Sequence, residues 1–267
     1  MIITRTRLLL SIASVTTVLL AASLTSMVRA DPTLLDSVKQ RGTLRIALEG
    51  TFPPFNYQDA SGNLAGFEID LGNALAKQIG VKAEFLPTKW DGILAGLDTG
   101  RYDVVLNQVT ITPERQQKYD FTAPYTVSGI QIIVRKADAD RIKTAADLAG
   151  KNVGVSLGTN YEQWVRKTVP TANVKTYDDD PTKYADLRTG RLDAVLADRL
   201  VAANKIKQLG GDLVPAGDPV AKELQGVTVR KDQPALRDAL DKALVNLHTD
   251  GTFVAISDKW FGTDVSK

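Results

Sequence analysis

Strand-like and helix-like segments alternate along most of this chain, and this alternation restricts the possible folds more than any other feature. Short apolar runs at 44–48 and 104–106 are typical of strands buried on both faces. A segment between them, 69–79, carries apolar residues at helical spacing, and Gly80 follows it as a stop signal. Such alternation predicts an α/β architecture with largely parallel sheets.

A second set of segments repeats this order and predicts a second lobe. Composition alone leaves open whether the chain crosses between the two lobes once or twice. The strands are predicted at 44–48, 82–86, 104–106, 129–135, 152–156, 174–177, 194–197 and 226–230, and the helices at 69–79, 90–97, 161–168, 181–188, from 198, 235–247 and 252–260.

The N-terminal 30 residues have the pattern of a secretory signal peptide. Arg5 and Arg7 precede an apolar stretch at 8–23, and residues 28–30 form a small-x-small cleavage site, so we expect cleavage after Ala30 and export to the periplasm. A membrane anchor is the alternative, but serines and threonines weaken the stretch as a permanent span. The chain has no cysteine, which excludes a lipid anchor at the cleavage site and disulfides.

The charge balance excludes one class of partner. Removing residues 1–30 removes three arginines and no acid, so the net charge changes from +2 to −1. A nearly neutral chain has no electrostatic basis for binding nucleic acid. Residues 31–267 are enough for two modest domains, each with its own core.

A polar turn with one arginine follows the strand predicted at 104–106. The turn contains Thr110, and Pro113 opens a predicted helix with Arg115 in its first turn. Negative charge is preferred at helix N-termini, so an arginine there suggests an anion in front of it. Backbone N–H groups, the Thr110 hydroxyl and the Arg115 guanidinium would then bind the α-carboxylate of an amino acid.

The second set offers candidates at corresponding strand ends, where open α/β sheets bind ligands. Thr159 and Asn160 either cap the helix they precede or present amides to the same carboxylate from the opposite lobe. Asp198 directly follows the strand at 194–197. It either caps the next helix or binds the α-ammonium of the ligand.

Two aromatic residues lie in loops that could flank a ligand side chain. Phe52 follows the first strand and Trp90 follows the second, so they could form opposite walls, whereas Phe55 is better interpreted as core. The acids at 178–180 do not converge on a metal unaided, and we interpret them as the acidic entry of a helix that begins near Pro181. The sequence therefore predicts neither a metal nor a cofactor.

The chain resembles the periplasmic amino-acid-binding proteins of ABC importers (solute-binding protein family 3) from about residue 36 to residue 267. The resemblance rests on GFEIDL (66–71), KWDGILAGL (89–97), the T-x-T-x-x-R segment (110–115), YDFTAPY (119–125) and KWFG (259–262). PTKWDG, NQVT, YDFTAPYTVSGIQ, GTNYE and YDDDPTKY look most like the cystine-binding branch.

The resemblance implies a type II periplasmic-binding-protein-like fold, with two lobes of a sheet flanked by helices joined by a double-crossover hinge. Lobe 1 would comprise residues 31–125 and 226–267, and lobe 2 residues 126–225. Arg115 would hold the ligand α-carboxylate with help from Thr110, Thr159 and Asn160. Asp198 would hold the α-ammonium, and Phe52 and Trp90 would flank the side chain.

The resemblance also bears on the ligand and its partners. Glu49 stands where relatives that bind basic amino acids keep an acid, which suits the distal ammonium of cystine and equally lysine or arginine. Asn107 and Gln108 stand where many relatives carry small residues, and they either meet the distal carboxylate of cystine or only narrow the pocket. We expect a monomer that closes around L-cystine and delivers it to a membrane permease.

Two rival interpretations belong to other classes. Some proteins with this fold are cyclohexadienyl or prephenate dehydratases, in which a cleft acid donates a proton, and Glu49 or Asp198 could serve. We expect no enzyme, because the sequence shows no nucleophile–base pair, metal cluster or cofactor loop. A sensor input domain is the other rival, and it would need a downstream membrane span or signalling domain.

Overall fold

The computed structural model of the protein describes residues 32–267, so the predicted signal peptide lies outside the described residues. No helix within 32–267 is both long and apolar enough to cross a bilayer. The strands of the described part are β1 (Thr43–Leu48), β2 (Thr51–Phe52), β3 (Asn56–Gln58), β4 (Leu64–Ala65), β5 (Lys82–Pro87), β6 (Val104–Val105), β7 (Tyr119–Phe121), β8 (Thr126–Arg135), β9 (Asn152–Ser156), β10 (Asn173–Tyr177), β11 (Ala194–Asp198), β12 (Leu213–Gln225) and β13 (Thr228–Arg230). The α-helices of the same part are α1 (Leu34–Arg41), α2 (Phe67–Gln78), α3 (Trp90–Asp98), α4 (Pro113–Lys118), α5 (Asn160–Thr168), α6 (Asp180–Arg188), α7 (Arg199–Gln208), α8 (Pro234–Thr249) and α9 (Thr252–Phe261).

Ten of these strands form two five-stranded sheets, one in each of two lobes, and β2, β3 and β4 form a small third sheet, which confirms the predicted α/β class. The sheet of lobe 1 has the order β5-β1-β6-β13-β7, and that of lobe 2 has the order β10-β9-β11-β8-β12. The chain passes between the sheets twice, first from β7 to β8 and again from β12 to β13. The predicted residue boundaries of the lobes remain a prediction.

Both sheets are mixed, whereas the sequence predicts largely parallel ones. β1 runs parallel to β5 and β6, but β13 is antiparallel to β6 and β7. In lobe 2, β9 is parallel to β10 and β11, while β8 is antiparallel to β11 and β12. β8 and β13, which run antiparallel to both of their neighbours, are the first strands after the two crossings between the lobes.

Each lobe has its own apolar core. In lobe 1 the buried side chains of β1 and α2, such as Ile46 and Leu71, pack with those of α8. In lobe 2 the cluster includes Ile132 of β8 and Val155 of β9. Val201 of α7 belongs to the lobe 1 cluster although its helix follows a lobe 2 strand, so the two lobes touch along α7.

Two motifs of the family resemblance meet in lobe 1. Gly66 has φ +132°, and a Cβ there would lie 2.2 Å from the backbone oxygen of Phe55, so only glycine fits. Four residues later, Asp70 accepts hydrogen bonds from Lys259 Nζ at 2.7 Å and Trp260 Nε1 at 2.8 Å. The GFEIDL motif therefore anchors the C-terminal KWFG motif to α2.

Candidate functional site

Arg115 is held at the edge of lobe 1 by three contacts. Thr112 caps α4 and accepts a hydrogen bond from the Arg115 backbone N–H at 3.2 Å. The guanidinium donates from Nη1 to the Thr110 carbonyl oxygen at 2.9 Å and lies 5.3 Å from the centre of the Trp90 ring. Burial lowers the pKa of Arg115. The fork is therefore oriented and partly desolvated, which strengthens its attraction for a carboxylate.

Asp198 caps the helix that follows it, and its expected role at the ligand α-ammonium remains a prediction. Its Oδ1 accepts from the backbone N–H groups of Leu200 at 2.7 Å and Val201 at 3.2 Å, which caps α7. Its Oδ2 is buried and has no hydrogen-bond partner within residues 32–267. Burial raises the pKa of Asp198. One oxygen is thus left for another group.

Thr159 and Asn160 lie at the start of α5, in the lobe that carries Asp198. The Thr159 hydroxyl donates to the Ser156 carbonyl oxygen at 2.7 Å and accepts from the Glu162 N–H at 3.4 Å, as a helix cap does. The Thr159 N–H also points to the Ser156 oxygen, at 3.4 Å. The Asn160 side chain donates from Nδ2 to Glu223 Oε1. The expected role of these two amides at a ligand carboxylate remains a prediction.

Glu223 lies beside Asp198 and Asn160, although no pattern in the sequence pointed to it. It is only 5% exposed, and its Oε2 has no hydrogen-bond partner in the described part of the chain. Burial, followed by the charge of Asp198, raises the pKa of Glu223 to about 8, although Asn160, Arg115 and Thr110 act in the opposite direction. An acid of lobe 2 therefore lies within the electrostatic reach of Arg115 of lobe 1.

The two predicted aromatic walls occupy different surroundings. Trp90 stacks on Arg115 and lines a cavity of about 180 Å³ that also involves Asp91, Leu94, Leu157 and Gly158, so this cavity lies between the lobes. Phe52 stacks on the fully buried Phe55 with ring centres 5.9 Å apart, and it packs against the lobe 1 core. Opposition of Phe52 and Trp90 across one ligand remains a prediction.

Glu49 is held by Asn107 and faces charges of the other lobe. Asn107 donates from Nδ2 to Glu49 Oε2 at 2.8 Å, and its Oδ1 accepts from the Glu49 N–H at 2.9 Å. Burial and then the charge of Asp180 raise the pKa of Glu49, while Lys183 acts in the opposite direction. Lys183 is 2% exposed, and its Nζ lies 2.6 Å from Asp180 Oδ1 and 2.7 Å from Ser156 Oγ. The acids Glu49 and Asp180 and the buried ammonium of Lys183 therefore lie close together where the two lobes face each other.

Gln108 makes hydrogen bonds inside the molecule, and its expected role in narrowing the pocket or meeting a ligand carboxylate remains a prediction. Its backbone has φ +49°, an uncommon value for a residue other than glycine. The backbone N–H donates to Glu68 Oε1 at 2.7 Å, and the side-chain oxygen accepts from Thr126 Oγ1 at 3.0 Å. Thr126 Oγ1 also lies 3.0 Å from Gln225 Oε1. Gln108 therefore joins the site turn to both strands of the double crossover.

Glu68 is the centre of that network. It is fully buried and accepts hydrogen bonds from Asn56 Nδ2 at 2.5 Å and Tyr125 Oη at 2.5 Å, in addition to the Gln108 backbone. Burial raises its pKa to about 7, against the lowering by these donors. Glu68 is the first acid of the GFEIDL motif, and its role in this structure is to accept buried hydrogen bonds inside lobe 1.

Comparisons with known proteins agree with this geometry. The sequence profile of the bacterial extracellular solute-binding proteins, family 3, matches residues 44–263. The L-cystine-binding protein TcyJ of Escherichia coli (strain K12) is 51% identical over 257 residues, which cover 96% of this chain and 97% of that protein. An ancestral arginine-binding protein bound to arginine has a TM-score of 0.79 and 43% identity, covering 83% of this chain and 99% of that one. The ancestral amino-acid-binding protein AncCDT-1, a precursor of cyclohexadienyl dehydratase, has a TM-score of 0.79 and 40% identity. The match covers 85% of this chain and 99% of that one.

Proposed function

This chain belongs to family 3 of the bacterial extracellular solute-binding proteins, and on that premise we propose that it captures L-cystine for import. Its role is that of the substrate-binding component of an ABC amino-acid importer. The observation that carries the ligand assignment is the arrangement of charge between the lobes. Arg115 lies on lobe 1, and Asp198 and Glu223 lie on lobe 2, where Glu223 is within the electrostatic reach of both Arg115 and Asp198. An α-amino acid carries the complementary pair of charges.

The α-carboxylate would bind the Arg115 fork, and the α-ammonium would bind Asp198. Thr110, Thr159 and Asn160 would help on the carboxylate side, with Phe52 and Trp90 beside the ligand side chain. Each charge-assisted hydrogen bond contributes about 1.5–3 kcal/mol, so several of them together reach micromolar affinity or better.

The distal end of the cleft supports cystine over lysine or arginine. Cystine ends in a second zwitterion, whereas the side chains of lysine and arginine end in a cation alone. Glu49 would hold the distal ammonium, and it is already oriented by Asn107. The buried Lys183, which uses two of its three donors on Asp180 and Ser156, would have one N–H left for the distal carboxylate. A lone basic side chain would bring its positive charge towards Lys183 without a carboxylate to offset it.

Transport follows from closure of the two lobes around the ligand. The ligand would bridge Arg115 of lobe 1 and the acids of lobe 2. It favours the closed state because it makes both sets of contacts there and only one of them in the open state. The closed monomer would then deliver cystine to an inner-membrane permease. We place this step in the periplasm, after cleavage of the signal peptide behind Ala30.

A basic amino acid is the second candidate, because Glu49 suits a distal cation and an ancestral relative is bound to arginine. Catalysis is the remaining alternative. We propose that the chain is not an enzyme, which is supported by relatives that are named as binding proteins.

Mass spectrometry of the purified protein, followed by calorimetric titration, tests the proposal. We expect L-cystine to bind more tightly than L-arginine and L-lysine, and Lys183→Met to reduce the affinity for cystine more than that for arginine. The matched control is Lys82→Met, because Lys82 is exposed on β5. Preferential binding of arginine, with Lys183→Met without effect, would favour the basic-amino-acid alternative. Turnover of prephenate would favour the enzyme.

A further inference from the structure

Three buried side-chain oxygen atoms on the strands of lobe 2 lack a hydrogen-bond partner within residues 32–267. They are Ser128 Oγ on β8, Asp198 Oδ2 at the end of β11 and Glu223 Oε2 on β12. The three residues are 6%, 1% and 5% exposed, respectively. Buried polar atoms without a partner are rare in folded proteins and cost free energy, so three of them in one sheet need an explanation.

The strand register brings the three residues to one face of the sheet. β8 lies between β11 and β12, Ser128 pairs with Glu223, and Asp198 pairs with Ile130 two residues further along β8. Directly paired residues share a face, and so do residues two apart on a strand. Ser128, Asp198 and Glu223 are therefore neighbours on three adjacent strands.

The exposure pattern of β12 shows that this face is built for polar groups. Glu223 and Gln225 are buried, while Lys222 before them and Leu224 between them are exposed. An ordinary strand buries its apolar residues and exposes its polar ones. Here a glutamate is buried and Leu224 is 38% exposed, so burial of Glu223 is not explained by packing.

The local electrostatics favour an incoming cation. Burial and then the charge of Asp198 raise the pKa of Glu223, and burial followed by the charges of Glu223 and Asp198 raises the pKa of the neighbouring Tyr161. The cations near this pair are Arg115, which belongs to the opposite lobe, and Arg199, which is exposed and lowers the pKa of Asp198. Within residues 32–267 no lysine or arginine forms an ion pair with either acid. Ser128 lies close enough to Asp198 for its hydroxyl to lower the pKa of that carboxyl, so two acids and one hydroxyl lie together.

We propose that Ser128 and Glu223 complete, with Asp198, a cage of three oxygen acceptors that binds the α-ammonium of the amino acid. This inference rests on the proposed function and adds two binding residues to it. A primary ammonium has three N–H donors, one for each oxygen. The Glu223 carboxylate serves two donors at once, with Oε1 on Asn160 and Oε2 on the ligand.

Ligand binding through this cage displaces a proton. Glu223 has a pKa of about 8 in the ligand-free protein, so it carries a proton at neutral pH. The ammonium stabilises the carboxylate, and the proton leaves Glu223 for solvent. The groups that face Glu223 are Asp198, Asn160 and Tyr161 of lobe 2 and Arg115 and Thr110 of lobe 1. Tyr161 stays neutral because burial raises its pKa well above 10.

Calorimetric titration with L-cystine between about pH 5.5 and pH 7.0 tests the cage, because the ligand amine remains charged in that window. We expect the affinity of the native protein to rise with pH by up to about tenfold per unit. Titration near pH 6.5 in buffers of different protonation enthalpy should show release of nearly one proton. Glu223→Gln should bind about tenfold more weakly, with a flat pH profile and little proton release, because glutamine has one oxygen for two donors.

The controls separate this inference from the proposed function. Glu84→Gln removes an exposed acid of β5 and should match the native protein. Ser128→Ala should also weaken binding about tenfold, and it carries the test if Glu223→Gln does not fold. 3,3′-Dithiodipropionic acid, which lacks both ammonium groups, should bind the native protein and Glu223→Gln equally.

If Glu223→Gln and Ser128→Ala bind cystine as the native protein does, with the same proton release, the cage is wrong while the proposed function stands. If the native protein binds no amino acid, both are wrong.

Discussion

Replacement of Arg115 is the sharpest test of the ligand assignment. Arg115→Ala removes a guanidinium that is oriented by the Thr110 carbonyl and by the Trp90 ring 5.3 Å away. A bidentate contact with a carboxylate comprises two charge-assisted hydrogen bonds of about 1.5–3 kcal/mol each. Partial exposure of Arg115 reduces that total through solvent screening, so we expect a loss of about 3 kcal/mol, or about a hundredfold in Kd.

Arg115→Lys refines the same prediction. Lysine keeps the charge but has neither the planar fork nor the stacking surface, so its affinity should fall by about tenfold, between those of the native protein and the alanine variant. Arg101→Ala is the control, since Arg101 is exposed on the same lobe. The assay is calorimetric titration with L-cystine, with thermal unfolding to show that the variants fold. Binding by Arg115→Ala within about threefold of the native protein would refute the assigned role.

The remaining predictions concern stability, measured by urea unfolding. Asp103→Asn should lower the free energy of unfolding by about 3 kcal/mol, because the fully buried carboxylate pairs with Arg45 at 2.9 Å; an effect below about 1 kcal/mol would contradict this. Glu68→Gln should change the pH dependence. The pKa of Glu68 is raised from 4.5 to about 7, so the native protein loses stability relative to the variant as the pH rises from 4.5 to 7, by at most about 3 kcal/mol. A pH-independent difference would exclude Glu68 as the titrating group. Gly66→Ala should prevent folding or lower the free energy of unfolding by several kcal/mol, since its Cβ would lie 2.2 Å from a backbone oxygen. Gly92→Ala in α3 should raise the free energy of unfolding by up to about 1 kcal/mol, because its Cβ meets nothing within 4 Å. Equal stability of the two alanine variants would contradict the packing argument.

The elements that the sequence predicted best are those with a clear hydrophobic period and clear ends. The strand predicted at 152–156 is β9, and the helix predicted at 252–260 is α9 with one further residue. β12, the longest strand of the described part, spans Leu213–Gln225 and is not predictable from its sequence pattern. Pro215, Gly217 and Pro219 interrupt its pattern, and it forms because it pairs with β8 along nearly its whole length, across an irregularity between Ala216 and Ala221.

Glu223 was missed for the same reason. A lone glutamate in a segment without a predicted strand has no visible face, so nothing in the sequence marks it as buried. The reversed exposure of Glu223 and Leu224 could have served as a signal, but only once the segment was known to be a strand. The surroundings of Gln108 were equally invisible in the sequence, because its left-handed backbone and its contact with Thr126 depend on the tertiary structure.

The sequence by itself determined the α/β class, the family and the presence of Arg115 and Asp198 at element ends. These properties depend on local periodicity, on turn residues and on motifs, all of which are readable along the chain. Only the tertiary structure decided which polar atoms remain without partners, which acids share a face and which residues of the two lobes approach each other. Such properties depend on strand register and on contacts between residues as far apart as Asn160 and Glu223, and the linear order of residues does not contain them.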